Sequence, residues 1–153
     1  MSFETPVTDR TNLDVKDVEN KISNSKGALS YTMLNRIENN SNYLASLLTS
    51  YNYPVNITVK TDWTRNDFLY PIELDRIKNN VTALKEAYYS LPTTPSLVTG
   101  KKTLNYTEAN DIEEIERDLE FLITNMEQVF VYSGVANSGQ NRMWQQRYRR
   151  VLQ

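Results

Sequence analysis

Apolar residues recur three or four positions apart in three long stretches of the chain, which is the spacing of amphipathic helices that pack on a common core. The three stripes are Leu34, Ile37, Leu44, Leu47 and Leu48; then Leu74, Ile77, Val81, Leu84 and Tyr88; then Ile115, Leu119, Leu122, Ile123 and Met126. They predict helices over about residues 31–50, 71–90 and 107–129, with a shorter helix over 13–23. The predicted fold class is therefore mainly α: a small domain with three long amphipathic helices.

The ends of these helices carry their own signals. Ser30 or Thr32 is suited to accept bonds from the free N–H groups that open the first long helix, and Thr107 is suited to do so for the third. Pro71 suits the first turn of the second helix, because its missing N–H is not needed there. Each long helix therefore has a predicted N-terminus.

Polar residues repeat along with the apolar ones. Residues 34–40, LNRIENN, return as residues 74–80, LDRIKNN, and residues 106–113 share five identities with residues 31–38. A second phrase, TDRTNLD at 8–14 and TDWTRND at 61–67, precedes the first phrase in both halves. The three helices thus belong to an internal repeat in two parts. The threonines and aspartates of the second phrase indicate turns or helix caps, with a metal or ligand loop as the alternative.

Doubled asparagines stand inside two of the predicted helices. Asparagine is a poor residue for a helix interior, so we expect these pairs to bond to groups elsewhere, together with the neighbouring arginines. In this interpretation they tie the helices to nearby turns, where Asp9 and Asp62 offer carboxylates to the guanidinium groups. A polar ligand groove is the alternative. The residues expected in this network are Arg36, Asn39, Asn40, Asp62, Trp63, Arg76, Asn79 and Asn80.

Three further stretches favour extended structure. Residues 55–60, VNITVK, alternate apolar and polar side chains, as a half-buried strand does. Residues 96–104 and 129–133 are also rich in residues that favour strands. A minor β-hairpin or a few short strands beside the helices, or plain linkers, remain the two alternatives for these stretches.

The composition argues against catalysis. The chain has no cysteine and no histidine, which removes the usual nucleophile pairs, the common zinc sites and the usual general base near neutral pH. We therefore expect no enzyme, no cofactor and no metal. The acidic residues of the third helix are interpreted as a solvated face or a patch for a basic partner. They are Glu113, Glu114, Glu116, Asp118 and Glu120.

Charge is unevenly distributed and sets apart the C-terminal end. The first 141 residues hold 13 basic and 19 acidic groups, a net charge of −6, whereas residues 142–153 carry four arginines and no acid. The predicted organisation is an extended N-terminal arm over 1–10 that lies on a partner, a helical repeat domain over 11–132 and a basic aromatic tail over 133–153. The tail mixes arginines with aromatic rings, which favours a protein interface over nucleic acid. Its expected contact residues are Arg142, Trp144, Arg147, Tyr148, Arg149 and Arg150.

No targeting or membrane signal is visible. No apolar run approaches the roughly 18 residues of a membrane span, and the N-terminus lacks a basic start followed by an apolar core. We expect no membrane contact and synthesis in the cytoplasm.

The repeated phrases also carry a resemblance. Residues 27–40, GALSYTMLNRIENN, with Leu44-Ala45, KTDWT at 60–64 and DRIKNN at 75–80, resemble a repeated helical domain of tail, baseplate and minor structural proteins from phages and prophages of Gram-positive bacteria. The likeness covers residues 8–92. It implies a virion component of the tail tip, baseplate or fibre attachment, made in the host cytoplasm and present in several copies. Its partners would be other virion tail, baseplate or fibre proteins, and it would have no catalytic residues.

A recognition module is the alternative function. The chain has ten tyrosines and two tryptophans, and aromatic faces can stack on sugar rings. In that version the aromatic residues and the asparagine pairs line a groove for a cell-surface saccharide of the bacterium.

Overall fold

A computed structural model of the chain describes residues 2–22, 26–101 and 103–126. These residues are mainly helical, which confirms the predicted fold class. Helix α1 is Asn12–Glu19, α2 is Tyr31–Ser50 and α3 is Pro71–Ala87. Helix α4 covers residues 106–126. None of the helices in the described ranges is both long and apolar enough to span a lipid bilayer.

The chain divides into two compact units, Met1–Glu120 and Phe121–Gln153. The first unit holds α1, α2, α3 and most of α4. In the second unit the structure describes residues 121–126, which are helical, and the side-chain amide of Asn125 donates to the carbonyl of Phe121 over 2.8 Å. The predicted C-terminal tail lies outside the described residues, and so does the stretch 129–133.

Helix starts follow the sequence signals in two of three long helices. The hydroxyl of Ser30 accepts from the N–H of Met33 over 3.3 Å and caps α2, and Pro71 is the first residue of α3. The predicted cap of α4 at Thr107 is wrong. The carboxamide oxygen of Asn105 accepts from the N–H of Glu108 over 2.8 Å, and the Thr107 hydroxyl donates to that same oxygen over 2.6 Å. The helix therefore begins one residue earlier, with Thr107 in its first turn.

The core of the first unit is built from the predicted apolar stripes. Its fully or almost fully buried side chains are Ile37, Leu44, Leu48, Leu74, Ile77, Val81, Leu84, Ile112, Ile115 and Leu119. Each such side chain contributes about 1.5–3 kcal/mol through removal from water. Helix α1 buries none of its residues, whereas Trp63, between α2 and α3, is only 3% exposed.

Three extended segments accompany the helices, one before α1 and two in the connections between the long helices. We name residues 2–11 segment A, residues 55–64 segment B and residues 94–101 segment C. The expected strands are absent from the described residues, because none of these segments pairs with another strand. Side chains of the helices form hydrogen bonds to their backbones instead, so the alternating pattern of residues 55–60 reflects a segment packed against helices.

The three long helices run in the same direction. Arg36 of α2 meets Glu113 of α4, and five residues later Ser41 of α2 meets Glu116 of α4, so both helices advance together. Along segment B the order is reversed: Trp63 bonds near the start of α2, and Lys60 bonds one turn further along that helix. Segments B and C are therefore the return paths that parallel helices require.

Candidate functional site

An asparagine on α2 and one on α4 hold an extended residue by both of its backbone groups. The amide of Asn35 donates to the carbonyl of Trp63 over 2.9 Å, and its oxygen accepts from the Trp63 N–H over 2.8 Å. Asn110 makes the same two bonds to Arg10, at 3.0 and 3.1 Å. A carboxamide offers one donor group and one acceptor on the same face, so it matches the N–H and C=O of a single extended residue. We call such a two-bond contact an amide clamp.

The second asparagine of each doubled pair forms a further amide clamp. Asn40 bonds the N–H and C=O of Glu4 at 2.8 and 2.9 Å, and Asn80 bonds those of Thr58 at 3.3 and 2.6 Å. The first asparagine of each pair is placed differently. Asn39 donates to the exposed Glu4 carboxylate over 3.1 Å, and Asn79 is exposed. Each pair therefore combines one clamp with one residue nearer the solvent.

Glu38 of α2 is a buried acceptor for three different groups. Its side chain is 1% exposed and accepts from the N–H of Lys60 over 3.1 Å and from the indole N–H of Trp63 over 3.3 Å. The guanidinium of Arg76 on α3 donates to both of its oxygens over 2.8 and 2.5 Å. These bonds to Glu38 raise the pKa of Arg76 above its ordinary value. The glutamate thus joins α2, α3 and segment B.

Glu113 of α4 repeats the arrangement around segment A. Its fully buried carboxylate accepts from the N–H of Val7 over 2.7 Å and from the guanidinium of Arg36 on α2 over 2.8 Å at each oxygen. The guanidinium of Arg10 is bonded to the same carboxylate. The bonds to Glu113 raise the pKa of Arg36. Glu38 and Glu113 occupy equivalent positions of the repeat, and so do their partners.

Two expectations about charged residues are wrong. Asp9 pairs with Lys26 over 2.7 Å and Asp62 is exposed, so neither accepts from Arg36 or Arg76. The arginines bond to the buried glutamates because an ionised carboxylate inside the fold requires a cationic partner, whereas an exposed one is solvated by water.

The acidic face of α4 is likewise not a solvated face. Glu113 and Glu116 are fully buried and Asp118 is 7% exposed. Asp118 accepts from the hydroxyl of Thr94 in segment C over 2.7 Å. These acids turn inward because they lie beside the apolar stripe of the same helix, at the seams where α4 meets the extended segments.

Segment C is held with the opposite charge. Lys78 of α3 stands at the repeat position of Glu38, and its ammonium donates to the carbonyl of Val98 over 3.1 Å and pairs with Glu108 at 3.1 Å. Asp75, at the position of Asn35, accepts from the N–H of Gly100 over 2.9 Å. Gly100 has φ of 79°, a conformation that glycine adopts without strain. At the position of Lys78 the helix side chain therefore donates to the backbone of the segment, where Glu38 accepts from it, while Asp75 accepts as Asn35 does.

Glu116 has the least satisfied environment in the described part of the chain. One of its oxygens accepts from the hydroxyl of Ser41 over 2.8 Å, while Oε2 has no hydrogen-bond partner among the described residues. Burial raises the pKa of Glu116 well above its ordinary value. The side chain is thus a neutral carboxylic acid between α2 and α4 over a wider pH range than an exposed glutamate.

The Thr-Asp phrases form matching turns. In the first, the N–H and hydroxyl of Thr11 donate to Asp14 at 2.7 and 2.7 Å; in the second, those of Thr64 donate to Asp67 at 2.7 and 2.8 Å. Bonds from Lys60 and then from Thr64 lower the pKa of Asp67 to about 2. Residues 2–22, 26–101 and 103–126 contain no group of three or more acidic side chains that could hold a metal ion.

Large apolar side chains are exposed beside the turn that precedes α3. Phe68 is 74% and Tyr70 61% exposed, and their rings lie 6.5 Å apart. Phe68 also lines a cleft of about 320 Å³ together with Leu29 and Tyr31 from the start of α2. We call Leu29, Tyr31, Phe68 and Tyr70 the aromatic patch. It is one place on the described surface where large apolar side chains are exposed together.

Several functional residues were not expected from the sequence. Bonds that hold segments A and B come from Asn35, Asn110, Glu38 and Glu113, whereas the network expected from the sequence contained the asparagine pairs and the arginines. Their signal was present, because Asn and Glu are among the five identities shared by residues 31–38 and 106–113. The six expected contact residues of the tail, Arg142, Trp144, Arg147, Tyr148, Arg149 and Arg150, lie outside the described residues.

Comparison of the chain with protein-family models, with curated proteins and with solved structures gives no match.

Proposed function

We propose that this chain is a structural protein of a phage tail or a phage-tail-like particle, acting as an adaptor in the baseplate or tail-fibre assembly. The resemblance of residues 27–40, 60–64 and 75–80 to phage tail and baseplate proteins supports the virion setting. In this proposal the chain is made in the host bacterial cytoplasm, works in several copies in the virion tail and binds other virion proteins without any cofactor.

The observation that carries the adaptor role is the aromatic patch. Large apolar side chains grouped on a surface and rimmed by polar residues mark interaction sites, and aromatic residues are enriched among those that dominate binding. Phe68 and Tyr70 stand on a short connection fixed on one side by the Thr64–Asp67 bonds and on the other by Pro71. Such a preordered surface loses little conformational entropy when a partner binds.

The repeated polar residues support the same function, because their polar groups are already used within the fold. Asn35, Asn40, Asn80 and Asn110 use their amides on the protein's own backbone, and Glu38 and Glu113 are enclosed by their arginines. The groups that could have formed a reactive or ligand-binding constellation are therefore used for folding. A rigid scaffold with an exposed apolar surface fits an adaptor better than an enzyme.

The test is incorporation into particles. Replacing Phe68 and Tyr70 together with serine removes both rings, while replacing Tyr89, which is 81% exposed and outside the aromatic patch, is the matched control. We expect both variants to keep the helical circular dichroism spectrum of the parent, and only the double variant to be missing from purified particles probed by immunoblot. Absence of the parent protein from particles would contradict the virion setting, and normal incorporation of the double variant would contradict the role of the patch.

Recognition of a cell-surface saccharide is the second candidate, favoured by one observation. A shallow cleft of about 290 Å³ places Phe68 and Tyr70 beside Asn66 and Asp67, which combines ring faces with polar groups as sugar sites do. The clamping residues Asn40 and Asn80 are committed to backbone bonds and do not supply that cleft. Calorimetric titration with wall polysaccharide separates the two functions, since an adaptor gives no binding heat and a recognition module loses its heat when Phe68 and Tyr70 are replaced.

A further inference from the structure

Segment A differs from segments B and C in how it is connected. Segment B follows α2 and leads into α3, and segment C follows α3 and leads towards α4, so each is covalently continuous with both helices that hold it. Segment A leads towards α2, but its other support is α4, about 100 residues further along the chain, as the Arg10–Asn110 bond shows. Among the three described segments, only the contact of segment A with α4 lacks a chain connection.

The contacts of segment A form a defined binding site for an extended peptide. Asn110 clamps the backbone of Arg10, Glu113 accepts from the N–H of Val7, and Arg117 donates to the hydroxyl of Thr8 over 3.1 Å. The Arg10 side chain is 4% exposed, and its guanidinium is bonded to Glu113. The groove between α2 and α4 therefore forms hydrogen bonds to backbone groups at fixed positions of the segment and requires an arginine at one of those positions.

Segment A can leave this groove with little disturbance to the core. It contributes one buried residue, Arg10, and its largest apolar side chain, Phe3, rests on Tyr43 with ring centroids 5.8 Å apart. The next element, α1, buries none of its residues. Removing segment B would instead expose the buried Trp63 and separate two helices to which it is joined. Segment A is thus the part of the repeat that can exchange.

We propose that the α2–α4 groove of one copy binds segment A of a second copy, in place of its own. The bonds of segment A to Asn110, Glu113 and Arg117 are all made to α4, so each one forms with the same geometry when segment A comes from a second copy. Lys26, which bonds to Asp9 and to the Arg10 side chain, would be supplied by the copy that holds the groove. Exchange of an identical element between copies requires little additional free energy, because the same contacts already form within one chain. The partner is accordingly a second copy of this chain. This proposal is independent of the virion setting.

The absence of cysteine allows the exchange to be measured by cross-linking. One tagged copy carries Thr8→Cys and a differently tagged copy carries Arg117→Cys, two positions that face each other across the groove. The two are unfolded in urea, refolded together at high protein concentration and treated with a short bis-maleimide. We expect a product that joins the two tags, with mass spectrometry locating the link at residues 8 and 117.

A position-matched control sets the background. Thr61 occupies in segment B the position of Thr8 in segment A and is exposed, so a Thr61→Cys copy mixed with the Arg117→Cys copy reports random encounters. A single chain that carries both Thr8→Cys and Arg117→Cys reports the link within one chain. The proposal is overturned if the mixed copies give no more product than the Thr61→Cys control while the doubly substituted chain links internally.

A second measurement covers the case in which the cysteine variants fold poorly. Two unsubstituted parent copies with different tags are refolded together and separated through one tag. Recovery of the second tag, together with a dimer mass by light scattering, supports exchange, and its loss on Arg10→Ala in both copies assigns the contact to segment A. A product that is monomeric at every concentration overturns the proposal.

Discussion

Replacing Asn80 with alanine removes one amide clamp and leaves the helix that carries it otherwise intact. Asn80 is 8% exposed and holds the N–H and C=O of Thr58 over 3.3 and 2.6 Å. Its neighbour Asn79 is exposed on the same helix. The two variants make the same side-chain change at adjacent positions of α3, so Asn79→Ala is the matched control for Asn80→Ala.

The expected changes in unfolding free energy have opposite signs. A typical net contribution of about 0.5–1.5 kcal/mol per hydrogen bond gives a loss of about 1–3 kcal/mol for the two bonds of Asn80. Alanine is favoured over asparagine inside a helix by up to about 0.7 kcal/mol, which offsets part of that loss. Asn79→Ala receives only the favourable helix contribution. Asn80→Ala should therefore destabilise by about 1–2 kcal/mol, while Asn79→Ala should be neutral or stabilise by a few tenths.

Urea unfolding followed by far-ultraviolet circular dichroism measures both changes. The midpoint should fall for Asn80→Ala and stay level or rise for Asn79→Ala, with similar slopes for the two variants, because the folded surfaces are almost the same. The pair Asn40→Ala and Asn39→Ala tests the equivalent site, where Asn40 is fully buried and Asn39 loses in addition its exposed bond to the Glu4 carboxylate. Equal shifts for the two members of a pair would show that the clamps contribute nothing to stability.

Three further predictions concern the buried charges and the tail. Arg76→Ala leaves Glu38 buried without its cation and should destabilise the fold by about 3 kcal/mol. Arg117→Ala breaks a half-exposed ion pair and should cost about 0–1 kcal/mol. Urea unfolding midpoints compare the two variants, and equal losses of stability would refute the role of burial. The raised pKa of Glu116 means that the folded chain keeps a proton that the unfolded chain has lost, so stability should fall as the pH rises above the ordinary value of 4.5. Glu116→Gln should remove that fall and be the more stable protein at neutral pH, while parallel stability curves across the pH series would contradict the assignment. Deletion of residues 142–153 should change the melting temperature little but abolish incorporation into particles, and a truncated chain that unfolds would place the tail in the core instead.

Much of the helical framework could be predicted from the chain alone. The stripes of Ile37 and Leu44, of Ile77 and Leu84, and of Ile115 and Leu119 place an apolar face at helical spacing, and any packed arrangement must bury such faces. Ser30 marked the start of α2 through its bond to the N–H of Met33, and Pro71 marked the start of α3 through its fixed backbone angle and missing N–H. Local chemistry was sufficient for these features because their energies arise within one turn.

The repeat also predicted that Asn40 and Asn80 would bond outside their helices, but not to which groups. Residues 55–60 alternate like a strand, yet their backbone partners are side chains of α2 and α3. A period of two reports that one face of an extended segment is buried and says nothing about what covers it. For that reason the pattern suggested a strand at residues 55–60 that the structure does not contain.

Only the tertiary structure decided which carboxylates lie inside. From the sequence, Asp9 and Asp62 were the expected carboxylate partners of the arginines, and the acids of α4 were interpreted as a solvated face or a patch for a basic partner. Packing of parallel helices placed Glu38 and Glu113 opposite Arg76 and Arg36, while Asp9 and Asp62 face the solvent. The choice depends on distances between residues 38 to 106 positions apart, which local sequence patterns do not contain. The sequence therefore determined the helices and the repeat, and the three-dimensional packing determined the buried ion pairs, because the cost of burying a charge depends on which partner reaches it.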